Sequence, residues 1–144
     1  MDLSKALGRR VPFATLLGIE LIEKGDGRAL LAVDLRADLM NSFGVAHGGV
    51  VMTLLDIAMA MAAHSLDPEA EGAITVEMKS NFIGAGTGRL TAEGHCLHLG
   101  KSVAFCEARV RDADGKLVAS GSGTFMLRHP YRGKRAPSGA GADA

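Results

Sequence analysis

The chain has 144 residues, which is the usual size of one domain with a substantial hydrophobic core. Its 16 lysines and arginines balance its 16 aspartates and glutamates, and no face of the chain shows a strong basic stripe, so nucleic-acid binding is disfavoured as the main function. Cys96 and Cys106 lack metal-ligand spacing, no signal peptide is recognisable, and the longest apolar run is short for a membrane span. We therefore expect a soluble, cytoplasmic protein with two free thiols.

The first third of the chain predicts one short helix and two strands. Proline and glycine mark the breaks, and apolar residues alternate between them. The predicted elements are an amphipathic helix over residues 4–17 broken at Pro12, strands over residues 18–24 and 28–36 around the turn Gly25-Asp26-Gly27, and a loop over residues 37–46.

A long apolar helix is predicted next. From Gly48 to Ala63 the only polar side chains are Thr53 and Asp56, so the helix is apolar nearly all round and is expected to lie in a core. It should end near Ser65. A buried carboxylate is costly unless it is paired or hydrogen-bonded, so Asp56 calls for a partner.

After the long helix, apolar and polar residues alternate in the pattern typical of β-strands. One strand covers residues 74–82, with Ile74, Val76, Met78 and Phe82 on one face and Thr75 on the other. Two strands flank the turn at residues 99–102, and another starts at Lys116, with small residues at positions 119, 121 and 123 where a helix would lie close. The pattern predicts an α+β fold in which a curled antiparallel sheet surrounds one long helix, in a single domain over residues 1–127, with a flexible basic tail over residues 128–144.

The start of the long helix has the parts of an oxyanion hole. Gly48 and Gly49 leave the first backbone amides of the helix without side-chain cover, and such amides attract an anion or a polarised carbonyl oxygen. Asp56 lies about 12 Å further along the helix at 1.5 Å per residue. One substrate atom cannot touch both within one chain, so joint action predicts a dimer with two shared sites.

Structural roles are the alternative for the same residues. Asp56 can accept hydrogen bonds from a strand, or pair with an arginine, and only order the core. His47 can cap the helix, and Asn41 can form a loop turn.

Asn41, Gly44, His47-Gly48-Gly49, Leu55-Asp56 and the alanine-rich turn after them resemble the signature of the hotdog-fold acyl-CoA thioesterases of the phenylacetic-acid-degradation type. The resemblance runs from about Leu16 to Leu127 and includes the segment VEMKSNF at residues 76–82. It implies a hotdog fold, homodimers commonly joined as homotetramers, and an acyl-CoA substrate with no cofactor. Which tetramer arrangement applies is open.

The resemblance also assigns roles in hydrolysis. Asp56 matches the catalytic carboxylate, which either activates water or attacks the thioester. Gly48 matches the glycine whose amide polarises the thioester oxygen, His47 and Asn41 match residues that support the carbonyl and the loop, and Thr75 matches a hydroxyl residue that holds the attacking water.

The acyl group and the coenzyme A (CoA) arm are expected to contact further residues. The residues expected to bind substrate are Gly49, Phe43, Met52, Met59 and Phe82, and those expected to bind CoA are Gly100, Lys101 and Ser102. Lys101 is equally well explained as an ordinary surface lysine. Both aryl and short- or medium-chain acyl groups suit this apolar lining.

Two other functions fit the same fold. A hotdog dehydratase or hydratase would use a histidine and an acid as paired proton carriers. A non-catalytic acyl-CoA-binding domain would be expected to lack the carboxylate.

Overall fold

A computed structural model describes Leu3 and residues 11–130. Six antiparallel strands form one sheet in the order β1-β2-β4-β5-β6-β3, curled around one long helix, as predicted. The elements are α1 (Pro12–Leu17), β1 (Glu20–Gly25), β2 (Arg28–Asp34), a 3-10 turn (Ala37–Leu39), α2 (Gly48–Leu66), β3 (Gly72–Phe82), β4 (Arg89–Leu99), β5 (Val103–Arg111) and β6 (Leu117–Arg128).

The ends of the elements follow local backbone rules. Helix α1 starts at Pro12, because proline suits the first helical position, and Gly18 ends it with φ +75°. The predicted helical residues 4–10 lie outside the described residues. Strand β6 extends through Arg128, one residue beyond the predicted end of the domain, while residues 131–144 of the predicted tail also lie outside the described part.

Glycines on the sheet allow α2 to pack directly on it. A Cβ at Gly94 of β4 would lie 2.2 Å from the carbonyl oxygen of Ala58, so only glycine fits beneath the helix backbone. A Cβ at Gly121 of β6 would lie 3.2 Å from Leu55 Cδ1. The prediction that small residues of β6 lie close to the helix is therefore confirmed at Gly121. The closest contact between α2 and these two glycines is at Gly94.

Helix α2 is not covered on all sides within one chain. Met52 is 42% exposed, Asp56 is half-buried, and Gly49 and Ala60 continue the same uncovered stripe. The expectation that Asp56 lies inside a closed core is wrong, because its side chain is only half-buried within the described chain. The helix is also long and apolar enough to cross a membrane, contrary to the expectation from its length, although its other side packs on the sheet.

A buried histidine ties the end of α2 to its neighbours. His64 Nε2 lies 2.7 Å from the carbonyl oxygen of Ala70, and Nδ1 lies 2.5 Å from Lys24 Nζ. Because a carbonyl only accepts, Nε2 carries the proton and Nδ1 accepts from Lys24. Burial lowers the pKa of His64 and that of Lys24, and the contact fixes the path from α2 to β3.

We expect Gly94→Ala to lower the free energy of unfolding by about 2–3 kcal/mol, because the new methyl group would overlap the α2 backbone. Urea unfolding gives the value. The control is Gly25→Ala, at a strand glycine with no atom within 4 Å of the added Cβ, which should change stability by less than about 1 kcal/mol. Equal effects of the two substitutions would contradict the close packing of α2 on β4.

Candidate active site

The loop before α2 is held closed by one asparagine. Asn41 Oδ1 accepts hydrogen bonds from the backbone N–H groups of Phe43 (2.9 Å) and Val45 (3.4 Å), and the N–H of Gly44 donates to the Asn41 carbonyl oxygen at 3.1 Å. Gly44 has φ +72°, which glycine adopts without strain. Asn41 therefore shapes the loop, which is the structural role considered from the sequence. Phe43, within this loop, is 87% exposed.

His47 caps α2 and separates the two glycine amides. Its Nδ1 accepts the N–H of Gly49 at 2.8 Å, and its carbonyl oxygen accepts from Val50 and Val51. The expectation that the Gly49 amide is bare is therefore wrong. The N–H of Gly48 has no partner in the described part of the chain, so it is the amide left for a ligand.

Aromatic and small residues surround the Gly48 amide. The Phe82 ring lies 3.5 Å from where a Cβ of Gly48 would be. Gly48, Asn41 and Phe82 help to line a cavity of about 230 Å³, and His47 and Gly49 help to line a second one of about 270 Å³ beside it. A larger cleft of about 500 Å³ at the β1–β2 hairpin is lined mainly by charged residues and contains none of the predicted site residues.

Asp56 lies on the uncovered stripe of α2 and contacts β3. Thr75 Oγ1 donates a hydrogen bond of 2.5 Å to Asp56 Oδ1. Among the described residues, no arginine, lysine or histidine forms an ion pair with Asp56, and Oδ2 makes no hydrogen bond. The carboxylate is thus oriented by one hydroxyl group and keeps one oxygen available.

A β-bulge turns Thr75 toward Asp56. Strict alternation predicts Thr75 on the face opposite Phe82, but the register of β3 on β6 shifts between Thr75 and Glu77. Thr75 therefore pairs with the fully buried Phe125 on the α2 side, whereas Ile74 and Val76 are 51% and 57% exposed. The predicted apolar face of this strand is correct only after the bulge.

The Gly48 amide and the Asp56 carboxylate lie in two separate candidate half-sites of one chain. Gly48 lies beside Phe82 at one end of β3, and Asp56 contacts Thr75 near the other end. The helix places them about 12 Å apart along its axis. Neither cavity at the start of α2 includes Asp56 or Thr75.

The other predicted contact residues differ in accessibility. Met52 and Phe82 are 42% and 57% exposed, so both can touch a ligand. Met59 is fully buried in the core of its own chain, so the structure gives it a packing role in place of the predicted substrate contact.

The turn between β4 and β5 lies at the Thr75 end of the sheet. The N–H of Gly100 donates to the Val103 carbonyl oxygen, and the Ser102 carbonyl oxygen accepts from Leu127, each at 2.8 Å. Lys101 is exposed and forms no ion pair within the described residues. Its side chain is thus accessible to a ligand, and its contact with CoA stays a prediction.

Both the sequence and the structure are similar to those of known proteins. The family profile described as "Thioesterase superfamily" matches residues 43–119. The solved structure of the PaaI protein from the phenylacetic acid degradation operon of E. coli superposes with a TM-score of 0.78 at 25% identity, covering 86% of this chain and 89% of that one. The predicted resemblance is therefore confirmed.

Two curated relatives carry names that state an activity. The 1,4-dihydroxy-2-naphthoyl-CoA hydrolase of Listeria monocytogenes is 28% identical over 114 residues, which cover 78% of this chain and 92% of the relative. Acyl-coenzyme A thioesterase 13 of Pongo abelii is 29% identical over 130 residues, which cover 88% and 92%. The chain belongs to the thioesterase superfamily and is a thioester hydrolase.

Proposed function

We propose that the protein hydrolyses an acyl-CoA thioester to a carboxylic acid and CoA, at sites shared between two copies of the chain. One copy supplies the Gly48 amide, and the other supplies Asp56 with Thr75. One observation carries this proposal. The Gly48 N–H at the start of α2 has no partner among the described residues, and two turns later the same helix presents Asp56, whose Oδ2 makes no hydrogen bond there.

The Gly48 amide is suited to stabilise the charge that develops on the thioester oxygen. It points out from the positive end of a 19-residue helix, where backbone dipoles favour negative charge. The helix cap formed by His47 fixes the direction of the amide before substrate binds. The thioester oxygen accepts this hydrogen bond and gains negative charge when the carbonyl carbon is attacked.

Asp56 is suited to drive the attack. In one route, Oδ2 takes a proton from water as the water oxygen bonds to the carbonyl carbon. In the other route, Oδ2 itself attacks and forms an anhydride that water then opens. In both routes the carbon–sulfur bond breaks, the thiolate of CoA leaves and takes a proton, and the Thr75 hydroxyl group keeps Oδ1 in place.

The free edge of β3 supports the pairing of two chains. This strand has 11 residues and lies at the end of the sheet, where Ile74 and Val76 expose apolar side chains. Long apolar edges of this kind favour pairing with another strand. A two-fold pairing beside β3 would also cover the uncovered stripe of α2 and bring the Gly48 amide of one copy toward Asp56 of the other. The homotetramer expected from the resemblance stays a proposal.

The two activity-bearing relatives favour a CoA thioester as substrate. One is named for a naphthoyl-CoA and the other for acyl-CoA in general. Phe82 and Met52 are exposed at the half-sites and would contact an apolar acyl group, aryl or short to medium chain. Lys101 would meet the phosphates of CoA, and a cytoplasmic location agrees with such a substrate.

The position of His47 disfavours the dehydratase alternative. A dehydratase needs a histidine that carries protons, but Nδ1 of His47 accepts the Gly49 amide as a helix cap. The second alternative is a domain that binds acyl-CoA without catalysis. Asp56 is oriented by Thr75 and is not paired with a cation, which favours a catalytic role for this carboxylate.

We expect Gly48→Pro to lower kcat/KM for acyl-CoA by at least about 100-fold, because proline lacks the N–H that polarises the carbonyl. Proline suits the first helical position, and His47, with φ −61° and ψ 138°, already has the extended backbone that proline requires before it. The measurement is release of the CoA thiol, with circular dichroism to check the fold.

The matched control is Gly48→Ala, which keeps the N–H and adds a methyl group at ordinary contact distance from Phe82. It should retain activity within about tenfold. If the proline and alanine variants lose activity equally, the Gly48 amide is not the oxyanion donor.

We expect Asp56→Asn to keep the fold and lose at least about 100-fold in kcat, because the amide can still accept from Thr75 but cannot act as base or nucleophile. The same thiol-release assay over short, medium, long and aryl acyl-CoA substrates gives the rate and the acyl preference. Retention of a tenth of wild-type activity with the preferred substrate would refute the role of Asp56.

A further inference from the structure

Two cysteine side chains lie opposite each other on neighbouring strands. Cys96 of β4 pairs with Cys106 of β5 in the register of the sheet, so both thiols are on the same face. Both are free thiols, Cys106 is buried and Cys96 is half-buried. Neither belongs to the half-sites described above, and this inference does not depend on the proposed hydrolysis.

The hydrogen-bonding pattern shows which kind of pair this is. The N–H of Cys96 donates to the Gly27 carbonyl oxygen at 2.8 Å, on the side of β2. In an antiparallel strand the N–H and C=O of one residue point to the same side, so those of Cys96 point away from β5. Cys96 and Cys106 therefore form a non-hydrogen-bonded pair, in which Cα atoms are about 4.5 Å apart and side chains approach each other most closely.

We propose that Cys96 and Cys106 form a reversible intrachain disulfide when the protein meets a peroxide. The Cα separation of such a pair, about 4.5 Å, falls inside the range of about 4.4–6.8 Å that disulfides require, at its short end. The register is regular up to Cys96 and shifts only between Cys96 and His98, so the paired positions are compatible with a disulfide.

The two thiols have different roles in the reaction. The half-buried Cys96 sulfur, as thiolate, attacks a peroxide oxygen, the O–O bond breaks, water leaves and Cys96 becomes a sulfenic acid. The Cys106 sulfur then attacks the Cys96 sulfur, the S–O bond breaks, and the hydroxyl group leaves as water with the proton of Cys106. Overall, two thiols are oxidised to one disulfide, and one peroxide is reduced to two waters.

The environment of Cys106 supports this order. Burial, and after it the adjacent Cys96 thiol, raises the pKa of Cys106 to about 12, so at neutral pH it stays protonated and is a poor first nucleophile. Cys96 is more accessible to a small oxidant. The new bond would clamp the hairpin that carries Gly100, Lys101 and Ser102 at its turn, because the cysteines lie near the base of that turn on both strands.

The test is to treat the fully reduced protein with one equivalent of hydrogen peroxide and to measure the intact mass. We expect a loss of about 2 Da and of both titratable thiols, reversed by dithiothreitol. Trypsin cuts after Lys101, between the two cysteines, so a non-reducing digest should contain the peptides of residues 90–101 and 102–109 joined together.

Cys96→Ser and Cys106→Ala, each checked for folding by circular dichroism, are the controls, and neither should show the loss of about 2 Da or the joined peptides. A wild-type protein that keeps both thiols, gains about 16 Da per oxygen without losing hydrogen, or links two chains through cysteine would overturn the proposal. The wild-type result decides the matter even if a variant fails to fold.

Discussion

A helix fixes the distance between the amide at its start and a carboxylate two turns later. In this protein the amide of Gly48 and the carboxylate of Asp56 are held about 12 Å apart along α2, a distance the chain cannot shorten without breaking the helix. The sheet makes that distance more rigid, because the backbone of α2 at Ala58 rests directly on Gly94. In the proposed reaction the thioester carbonyl needs both groups within reach, so the proposed site requires two helices.

The structure prepares each half-site before substrate arrives. At the start of α2, Asn41 closes the loop and His47 takes up the Gly49 amide, which leaves one directed N–H at Gly48. On the open stripe of α2, the bulge in β3 turns Thr75 toward Asp56. Groups fixed in this way need little rearrangement as charge develops during the reaction. Each proposed half-site is thus built from local backbone geometry, and in the proposed enzyme only their meeting depends on assembly.

Much of the fold follows from patterns in the sequence. The apolar stretch after His47, the alternating strands and the turns rich in glycine predict the central helix and the antiparallel sheet, and the eight-residue separation of Gly48 and Asp56 predicts two sites shared between chains. The family-specific roles of Asn41, His47 and Thr75 follow only from the resemblance. The structure shows the local contacts of all three: Asn41 and His47 accept backbone N–H groups, and Thr75 donates to Asp56.

Other features depend on geometry that a sequence pattern does not encode. The bulge shifts the face of β3 by one residue, so alternation alone places Thr75 and Val76 on the wrong sides. The burial of Met59 and the exposure of Met52, both on an apolar helix, depend on which side of α2 the sheet covers. The engagement of the Gly49 amide depends on the orientation of the His47 ring.

The shared site is tested most directly by mixing two defective chains. A Gly48→Pro chain and an Asp56→Asn chain, each inactive as a homo-oligomer, can be co-expressed with different tags and the mixed oligomer purified through both tags. If the amide and the carboxylate of one site come from different chains, each mixed pair holds one intact site, and about a quarter to a half of wild-type thioester hydrolysis should return. A mixed oligomer as inactive as its parents would contradict the shared site.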